Sequence, residues 1–430
     1  MTAAGKADST PDLRLDPLVG SGGEDLLGAV IDRGALLPSG EVASLAAEQV
    51  MIAGGQDVAC WLLDADQLAL QPLEGAGLVA GERTLVEESF LGRAFMSEEG
   101  LEQNDADGST RLFLPLMDGS NRIGVLAFTL RDSDASHRKW ALRFARLVAL
   151  LIVAKGRYTD EFVNTRRSKE MSLGAQLQWQ LLPPLTMRTA RVALAGILEP
   201  AYEVGGDSFD YALNGQLLHL AIFDAMGHGL DASVMATVII AAYRLGRRAG
   251  SDLVELYAGI DQTMGRQFGS ERFATGQLAQ LDTASGVVSW VNAGHPAPLL
   301  IRGQRVIREL IAPPGLPLGL RGDRPEVQTE QLQPGDRLLF LSDGILEERL
   351  ADGDLFGPER LRDFIERAAL KPGAVDQLLR RLSQSLMIAR GGRTSDDATL
   401  LLVEWQGSGA DQSIDGASNG PGWATSHHEL

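Results

Sequence analysis

Residues 205–229 read Gly205-Gly206-Asp207-Ser208-Phe209-Asp210, a short turn, the apolar run Leu217-Leu218-His219-Leu220-Ala221-Ile222-Phe223, and then Asp224-Ala225-Met226-Gly227-His228-Gly229. The apolar run predicts a buried strand, and Asp224 emerges at its C-terminal end. Glycine-flanked carboxylates thus stand on either side of one strand. Carboxylates placed together repel one another unless a cation neutralises them. Hard divalent ions take carboxylate, carbonyl and water oxygens, so Mg²⁺ or Mn²⁺ is the natural guest. The glycines free the backbone to turn sharply and bring a carbonyl to the ion.

An aspartate after a strand is common in loops, so this pair alone decides little. The same grammar recurs twice. Leu338-Leu339-Phe340-Leu341-Ser342-Asp343-Gly344 is another apolar strand ending in Asp-Gly, and Asp396-Asp397-Ala398-Thr399-Leu400-Leu401-Leu402-Val403 is its mirror. Four separated acidic stations on strand ends point to one shared metal site.

The chain has 430 residues, more than one typical core, so two or more domains are expected. Its 44% hydrophobic content supports globular domains. No apolar run approaches the roughly 18 residues of a membrane span, and the first 18 residues lack an apolar signal core, so a cytoplasmic protein is expected. The single Cys60 excludes an internal disulfide and a cysteine metal cluster. A net charge of −18 argues against nucleic acid or an anionic membrane as partner.

In chain order, residues 1–22 are Gly-, Ser- and Asp-rich and expected to be disordered. Residues 23–156 mix helical and strand signals. Val42, Leu45, Ala46 and Val50 fit one helix face, 58–63 reads as a strand, and 111–117 and 122–130 form a hairpin about Asp118-Gly119-Ser120-Asn121. A helix over 137–155 closes the unit. Residues 157–186 read as a helical linker, with Leu173, Leu177 and Leu181 spaced for a partner helix until Pro183-Pro184 stops it. The linker is a spacer or, on the preferred reading, a signalling element that packs on a dimer mate. Residues 187–406 are strand-rich, with two helical insertions (230–245 and 252–268) and hairpins over 273–292 and 297–310. The expected fold class is α/β, a layered sandwich of antiparallel sheets with helices outside. Residues 407–430 read as a loose tail.

The hairpin and closing helix of 23–156, with Leu114-Pro115-Leu116 and Ile123-Gly124-Val125-Leu126-Ala127-Phe128, resemble a GAF sensor domain, and a PAS-like sensor shares these features. No histidine precedes His137, which argues against a His-ligated haem.

The four acidic stations join Gln178-Trp179-Gln180-Leu181-Leu182-Pro183-Pro184, Asn292-Ala293-Gly294-His295-Pro296, Gly315-Leu316-Pro317-Leu318-Gly319 and Pro334-Gly335-Asp336 in one order. In that order they resemble the SpoIIE-type, RsbU-like branch of metal-dependent protein serine/threonine phosphatases, an αββα sandwich. The resemblance implies that Asp207, Asp224, Asp343 and Asp396, with the backbone carbonyl of Ala225, hold two Mn²⁺ or Mg²⁺ ions. These ions would activate a water for attack on phosphoserine or phosphothreonine. Asp210 and Asp397 are then expected to orient ligands or waters from behind. It further implies a phosphorylated STAS-domain anti-sigma-factor antagonist as substrate and a homodimer through linker and sensor.

Three features depart from the family pattern. Ala225 stands where many relatives carry Gly or Val. His228 lies four positions after Asp224, so no general-acid role passes to it. No arginine near the first strand is an evident phosphate clamp, with Arg188 and Arg191 as candidates. Gly205-Gly206-Asp207-Ser208-Phe209 also brushes the diguanylate cyclase signature, but that fold has no place for the Asp343 and Asp396 stations. An inactive scaffold of the same fold is the alternative function.

Overall fold

The computed structural model describes residues 18, 22–131, 133–199, 201–202, 205–313, 315–346, 357–370, 373–389, 397–408 and 424–425. The chain divides into two compact units, residues 1–118 with 122–166 and 420–430, and residues 119–121 with 167–419.

The first unit contains α1 (Gly22–Leu36), α2 (Val42–Ile52), β1 (Gln56–Leu63), β2 (Ala69–Leu73), β3 (Thr84–Leu85), α3 (Phe90–Met96), β4 (Leu101–Asn104), β5 (Thr110–Asp118), β6 (Asn121–Leu130), α4 (Ala135–Lys155) and α5 (Glu161–Thr165). Its sheet runs β4-β5-β6-β1-β2-β3, with Ala424–Thr425 added in parallel beside β4. Both faces of β1 are buried. Val58, Cys60 and Leu62 meet α2 and α4 on one side, while Ala59, Trp61 and Leu63 meet α3 on the other. That is why the strand reads as a continuous apolar run. Asp134 starts α4 by accepting from the N–H groups of Ser136 and His137, as a helix N-cap should. Burial pushes the Cys60 thiol up to about 12, so it is a core residue with no thiolate chemistry.

The second unit holds α6 (Leu173–Leu181), β7 (Thr186–Arg188), β8 (Val192–Glu199), β9 (Asp207–Asn214), β10 (Leu217–Ala225), α7 (Gly229–Arg248), α8 (Leu253–Gln267), β11 (Ala274–Asp282) and β12 (Val287–Ala293). It continues with β13 (Leu299–Arg302), β14 (Arg305–Glu309), β15 (Gln328–Gln331), β16 (Arg337–Leu341), α9 (Asp343–Leu346), α10 (Gly357–Ala369), α11 (Val375–Ala389) and β17 (Ala398–Trp405). One sheet runs β15-β12-β11-β10-β9 and the other β14-β13-β16-β17-β8-β7. Phe209, Leu220, Ile222 and Trp290 of the first sheet pack against Leu194, Phe340, Leu401 and Trp405 of the second. The outer face of the first sheet buries α7 and α8, through Phe223, Ile239, Tyr243 and Ile260 among others. The outer face of the second buries α10 and α11, through Leu361, Ile365, Leu379 and Leu382. The unit is therefore an αββα sandwich. Sequence patterning anticipated the α7–α8 layer and the hairpins, and missed the α10–α11 layer.

Among the described residues α7 is the helix long and apolar enough to cross a membrane. Here it lays Met235, Ile239 and Tyr243 on the sheet. It is not buried all round, since Leu245 is 72% exposed.

The expected helical linker over 157–186 contains two short helices. α5 ends at Thr165, and α6 starts afresh at Leu173 with Ser172 accepting from the Ala175 N–H. The buried face of α6 is Gly174, Ala175 and Gln178, not the leucine stripe, of which Leu173 is exposed. Small residues win that face because they let α6 lie close on α7, with which it makes extensive contact.

Asp210 also departs from expectation. It lies three residues after Asp207 on β9, and a strand alternates faces, so the two carboxylates point to opposite sides. Asp210 turns to the helix layer, where it accepts from Arg247 (2.8 Å) and from Arg244 (2.7 and 3.1 Å) on α7. It clamps α7 to the sheet, and its hydrogen bonds among the described residues go to α7 and not to the carboxylate cluster. Arg244 also donates to the Leu181 carbonyl at the end of α6. Removing one partner of a buried ion pair strands the other, at a cost of about 3–5 kcal/mol. Asp210→Ala is therefore expected to lower unfolding free energy in urea by about that amount, because Arg247 stays buried. A loss confined to divalent-ion dependence, with parent stability, would restore the ligand-orienting role.

Candidate metal centre

The register of β9 against β10 places Asp207 directly opposite Asp224. Along β10, Leu218, Leu220 and Ile222 face the space between the sheets while Ala221, Phe223 and Ala225 face the helices. Alternation puts Asp224 on the inner side, and Asp207 follows with Phe209 and Tyr211. Two carboxylates thus meet at the open end of the sandwich interior.

The second sheet completes the surroundings. Ser342 follows β16 and Asp397 precedes β17; the Ser342 N–H donates to the Thr399 carbonyl, and the Thr399 N–H donates to Ser342 Oγ at 3.0 Å. Asp343 begins α9 immediately after Ser342. Asp207 is fully enclosed, and its carboxyl is held well above the ordinary carboxylate range. Burial is the largest cause and the charge of Asp224 the next, with Asp397 adding to it against the hydroxyls of Ser342 and Thr399. Asp207 Oδ2 is buried with no hydrogen-bond partner among the described residues. A buried oxygen with neither donor nor cation is costly. The chemistry of this set, oxygen donors crowded by mutual repulsion, fits a hard divalent cation. Among the described residues no group of three or more His, Cys, Asp or Glu is assembled as a complete ion site. Asp396, expected as a ligand, lies outside the described residues.

The glycines before Asp207 serve close approach. A Cβ on Gly206 would stand 1.9 Å from the Ala225 carbonyl oxygen, and one on Gly205 would stand 2.5 Å from Asp397 Oδ2. The Gly205 N–H donates to that oxygen at 2.6 Å. Asp397 thus holds the backbone that carries Asp207, a role that fits its expected place behind the ligands. Gly227 and Gly229, by contrast, have positive φ (97° and 71°) and make the sharp turn from Asp224 into α7. His228, between them, is exposed and makes no side-chain cap at the start of α7.

Several contributors escaped the sequence reading. The Gly205 carbonyl accepts from Gln178 Nε2 of α6 (3.0 Å) and from Ser233 Oγ of α7 (3.0 Å), and Gln178 also donates to the Asp207 carbonyl. A buried Gln in a Leu-rich linker was the available signal. Arg188 and Arg191 lie at the Val192 end of β8, whereas Asp397 adjoins the Glu199 end, where Ala398 pairs. Eight residues of strand span roughly 25 Å, so neither reaches the cluster as a clamp. Asp336, within the Pro334-Gly335-Asp336 motif, is structural: it is buried and binds Arg302 through two 2.7 Å bonds.

Residues 214–406 match the family model described as stage II sporulation protein E (SpoIIE). The chain is 23% identical over 236 residues to the phosphoserine phosphatase RsbU of Bacillus subtilis, covering 54% of this chain and 69% of that protein. It is 25% identical over 204 residues to the stage II sporulation protein E of Bacillus subtilis, covering 46% of this chain and 24% of that protein. Among solved structures, the RsbU and RsbW domains of Rv1364c from Mycobacterium tuberculosis align at 28% identity with a TM-score of 0.45, over 53% of this chain and 63% of that one.

The raised pKa of Asp207 has a consequence in the metal-free protein. An acid whose folded pKa lies above its unfolded value binds more protons when folded, so its contribution to stability falls as pH rises above the ordinary carboxylate range. In chelator at neutral pH, Asp207→Asn is expected to melt higher than the parent, with the gap closing as pH is lowered. It is also expected to lose the melting-temperature increase that Mn²⁺ gives the parent. A lower melting point for Asp207→Asn in chelator at neutral pH would show that the carboxylate is not under repulsion.

Proposed function

We propose, from the premise that residues 214–406 form a SpoIIE-family domain, that this chain is a metal-dependent protein phosphatase acting on phosphoserine or phosphothreonine. The observation that carries the reading is the buried Asp207 facing Asp224 across β9 and β10, with an oxygen that has no donor among the described residues. Kinship with RsbU, a phosphoserine phosphatase, supports the substrate class. Asp207, Asp224, Asp343, Asp396 and the Ala225 carbonyl would hold two Mn²⁺ or Mg²⁺ ions. When bound, such ions neutralise phosphoryl oxygens and lower the pKa of water.

The protein's own share is placement. Asp207 and Asp224 present their carboxylates from adjacent strands whose register fixes their separation. Asp397 anchors the Gly205 N–H, while Gln178 and Ser233 hold the Gly205 carbonyl, so the segment leading into Asp207 is fixed from three sides. The turn at Gly227 and Gly229 makes Asp224 and Ala225 continuous with α7. A movement of α6 or α7 is therefore felt at the backbone of both strands.

On this reading residues 23–156 are a GAF-like sensor, and α6 is the last link of its route to the phosphatase. A signal acts by stabilising one packing of α6 on α7 over another. The substrate class is a phosphorylated STAS-domain antagonist of an anti-sigma factor, and the working form is a dimer.

Phosphate release from p-nitrophenyl phosphate in Mn²⁺, with and without chelator, tests the activity. Asp343→Asn is expected to lose more than about 100-fold in turnover while remaining folded, and Asp397→Asn to lose about 10–100-fold, as residues that orient ligands do. Near-parent Mn²⁺-dependent turnover in folded Asp343→Asn would overturn the site. Gln178→Leu tests the link from α6: the Mn²⁺ concentration for half-maximal activity should shift, with less change at saturating Mn²⁺. An unchanged Mn²⁺ dependence would make α6 a tether.

A further inference from the structure

Strand β11 changes partner as it nears the turn after Asp224. β12 pairs with it from Leu281 to Gln277, beyond which a single bridge joins Gly276 to Gly294. Ala274, at the end of β11, is the register partner of Ala225 on β10. Its N–H donates to the Leu318 carbonyl (3.0 Å), and the Leu318 N–H donates to its carbonyl (2.8 Å). One residue on, the Met226 N–H donates to the Phe273 carbonyl (3.1 Å). Ala225, Ala274 and Leu318 are all fully buried, where an unpaired backbone group is costly. The segment around Leu318 thus takes the place of β12 at the end of the sheet that carries Asp224.

Helix α8 holds that segment in place. The buried Asp261 accepts through one oxygen, Oδ1, from the N–H groups of Gly319 (2.7 Å) and Arg321 (3.0 Å). Tyr257, four residues earlier and so on the same helix face, donates its hydroxyl to the Leu316 carbonyl at 2.5 Å. The two ties bracket Leu318. The backbone beyond it is left-handed, with φ of 103° at Gly319 and 57° at Arg321. Glycine suits the first position, since a Cβ there would stand 2.7 Å from the Arg272 carbonyl oxygen. Arg321 lacks that freedom, and a residue with a Cβ enters this region only where its surroundings hold it. The bond to Asp261 supplies the hold. An aspartate is unfavourable in a helix interior and in a core, so packing α8 alone would be better served by an apolar residue.

We propose that Asp261 is a positioning residue for the ligands Asp224 and Ala225. It fixes the segment around Leu318, that segment fixes the Phe273–Ala274 end of β11, and the Ala225–Met226 turn hangs on that end. The proposal rests on the phosphatase reading. Each step is a backbone or side-chain hydrogen bond or a strand pairing. Asp261 touches neither substrate nor ion. Because one oxygen accepts both N–H groups, the role belongs to the acceptor and not to the charge. Partners behind the ligands typically alter metal affinity by about 10–100-fold when lost, and one acting through a strand belongs at the lower end.

The test is Mn²⁺ binding to the full chain by calorimetry, without substrate, alongside thermal melting and amide exchange of residues 224–229 in chelator. Asp261→Leu should weaken Mn²⁺ binding about 10-fold and speed exchange in that segment. Asp261→Asn, which keeps an acceptor oxygen, should bind as the parent does. Arg302→Ala breaks the pair with Asp336 at the start of β16, the end away from Asp343. It should lower the melting temperature and leave Mn²⁺ affinity unchanged. Parent-like affinity or parent-like exchange in Asp261→Leu would overturn the proposal. Losses in Asp261→Asn or Arg302→Ala as large as in Asp261→Leu would overturn it too. Should Asp261→Leu fail to fold, Tyr257→Phe removes the other tie and should weaken binding in the same direction; parent affinity there overturns the link. A parent that binds Mn²⁺ confines these failures to Asp261, whereas a parent that binds none would overturn the phosphatase reading and this proposal with it.

Discussion

The second unit depends on one register. The buried Asp207 faces the half-buried Asp224 across β9 and β10, and the charge of Asp224 helps raise the pKa of Asp207. Antiparallel neighbours bring opposed side chains to about 4.5–5.5 Å between Cβ atoms, and like charges so placed oppose the pairing. The strands hold regardless because the rest of the pairing is apolar: Phe209 against Ile222 and Tyr211 against Leu220 lie on the same inner face. Apolar burial behind the site thus offsets the repulsion within it, and a cation that relieves the repulsion gains binding energy from it. On the proposed reading the unfavourable feature is the one that recruits the ion.

Close backbone approach follows from that register. Gly206 must pass against the Ala225 carbonyl, and Gly205 against Asp397, at distances that admit no side chain. Gly205 becomes a junction: its N–H donates to the Asp397 carboxylate, and its carbonyl accepts from Gln178 of α6 and Ser233 of α7. Arg244 adds a parallel tie, holding both Asp210 of β9 and the end of α6. Helix α6 therefore bears on β9 directly, through Gln178 at the Asp207 carbonyl, and indirectly, through Arg244 of α7 at Asp210. On the proposed reading this gives α6 a mechanical purchase on the strand carrying Asp207 that a flexible tether would lack.

The carboxylates were legible in the sequence because an apolar strand ending in Asp-Gly is rare enough, when repeated, to be a pattern. The SpoIIE resemblance read from those residues agrees with the family model over 214–406. The Asp210 error was avoidable: three residues along a strand reverses the face, so Asp207 and Asp210 could not share a site. The face that α6 turns inward was not legible for a different reason. Hydrophobic periodicity weighs Leu173, Leu177 and Leu181, but tight helix packing selects Gly174 and Ala175, which carry little hydrophobic signal. The helices α10 and α11 were missed although Leu361, Ile365 and Ala368, or Leu378, Leu382 and Leu386, fall at helical spacing; their charged outer faces obscured it. The 2.7 Å approach of Thr275 Oγ1 to His295 Nδ1 was not legible, since it needs the register of β11 and the turn after β12 together.

The most direct measurement is crystallographic: anomalous difference density collected at the manganese edge from crystals of the full chain grown in Mn²⁺. The account predicts strong peaks between the carboxylates of Asp207 and Asp224 and beside Asp343, with Asp397 bound to the Gly205 N–H and not to the ion. Ordered manganese elsewhere, with no density at the Asp207–Asp224 pair, would contradict it.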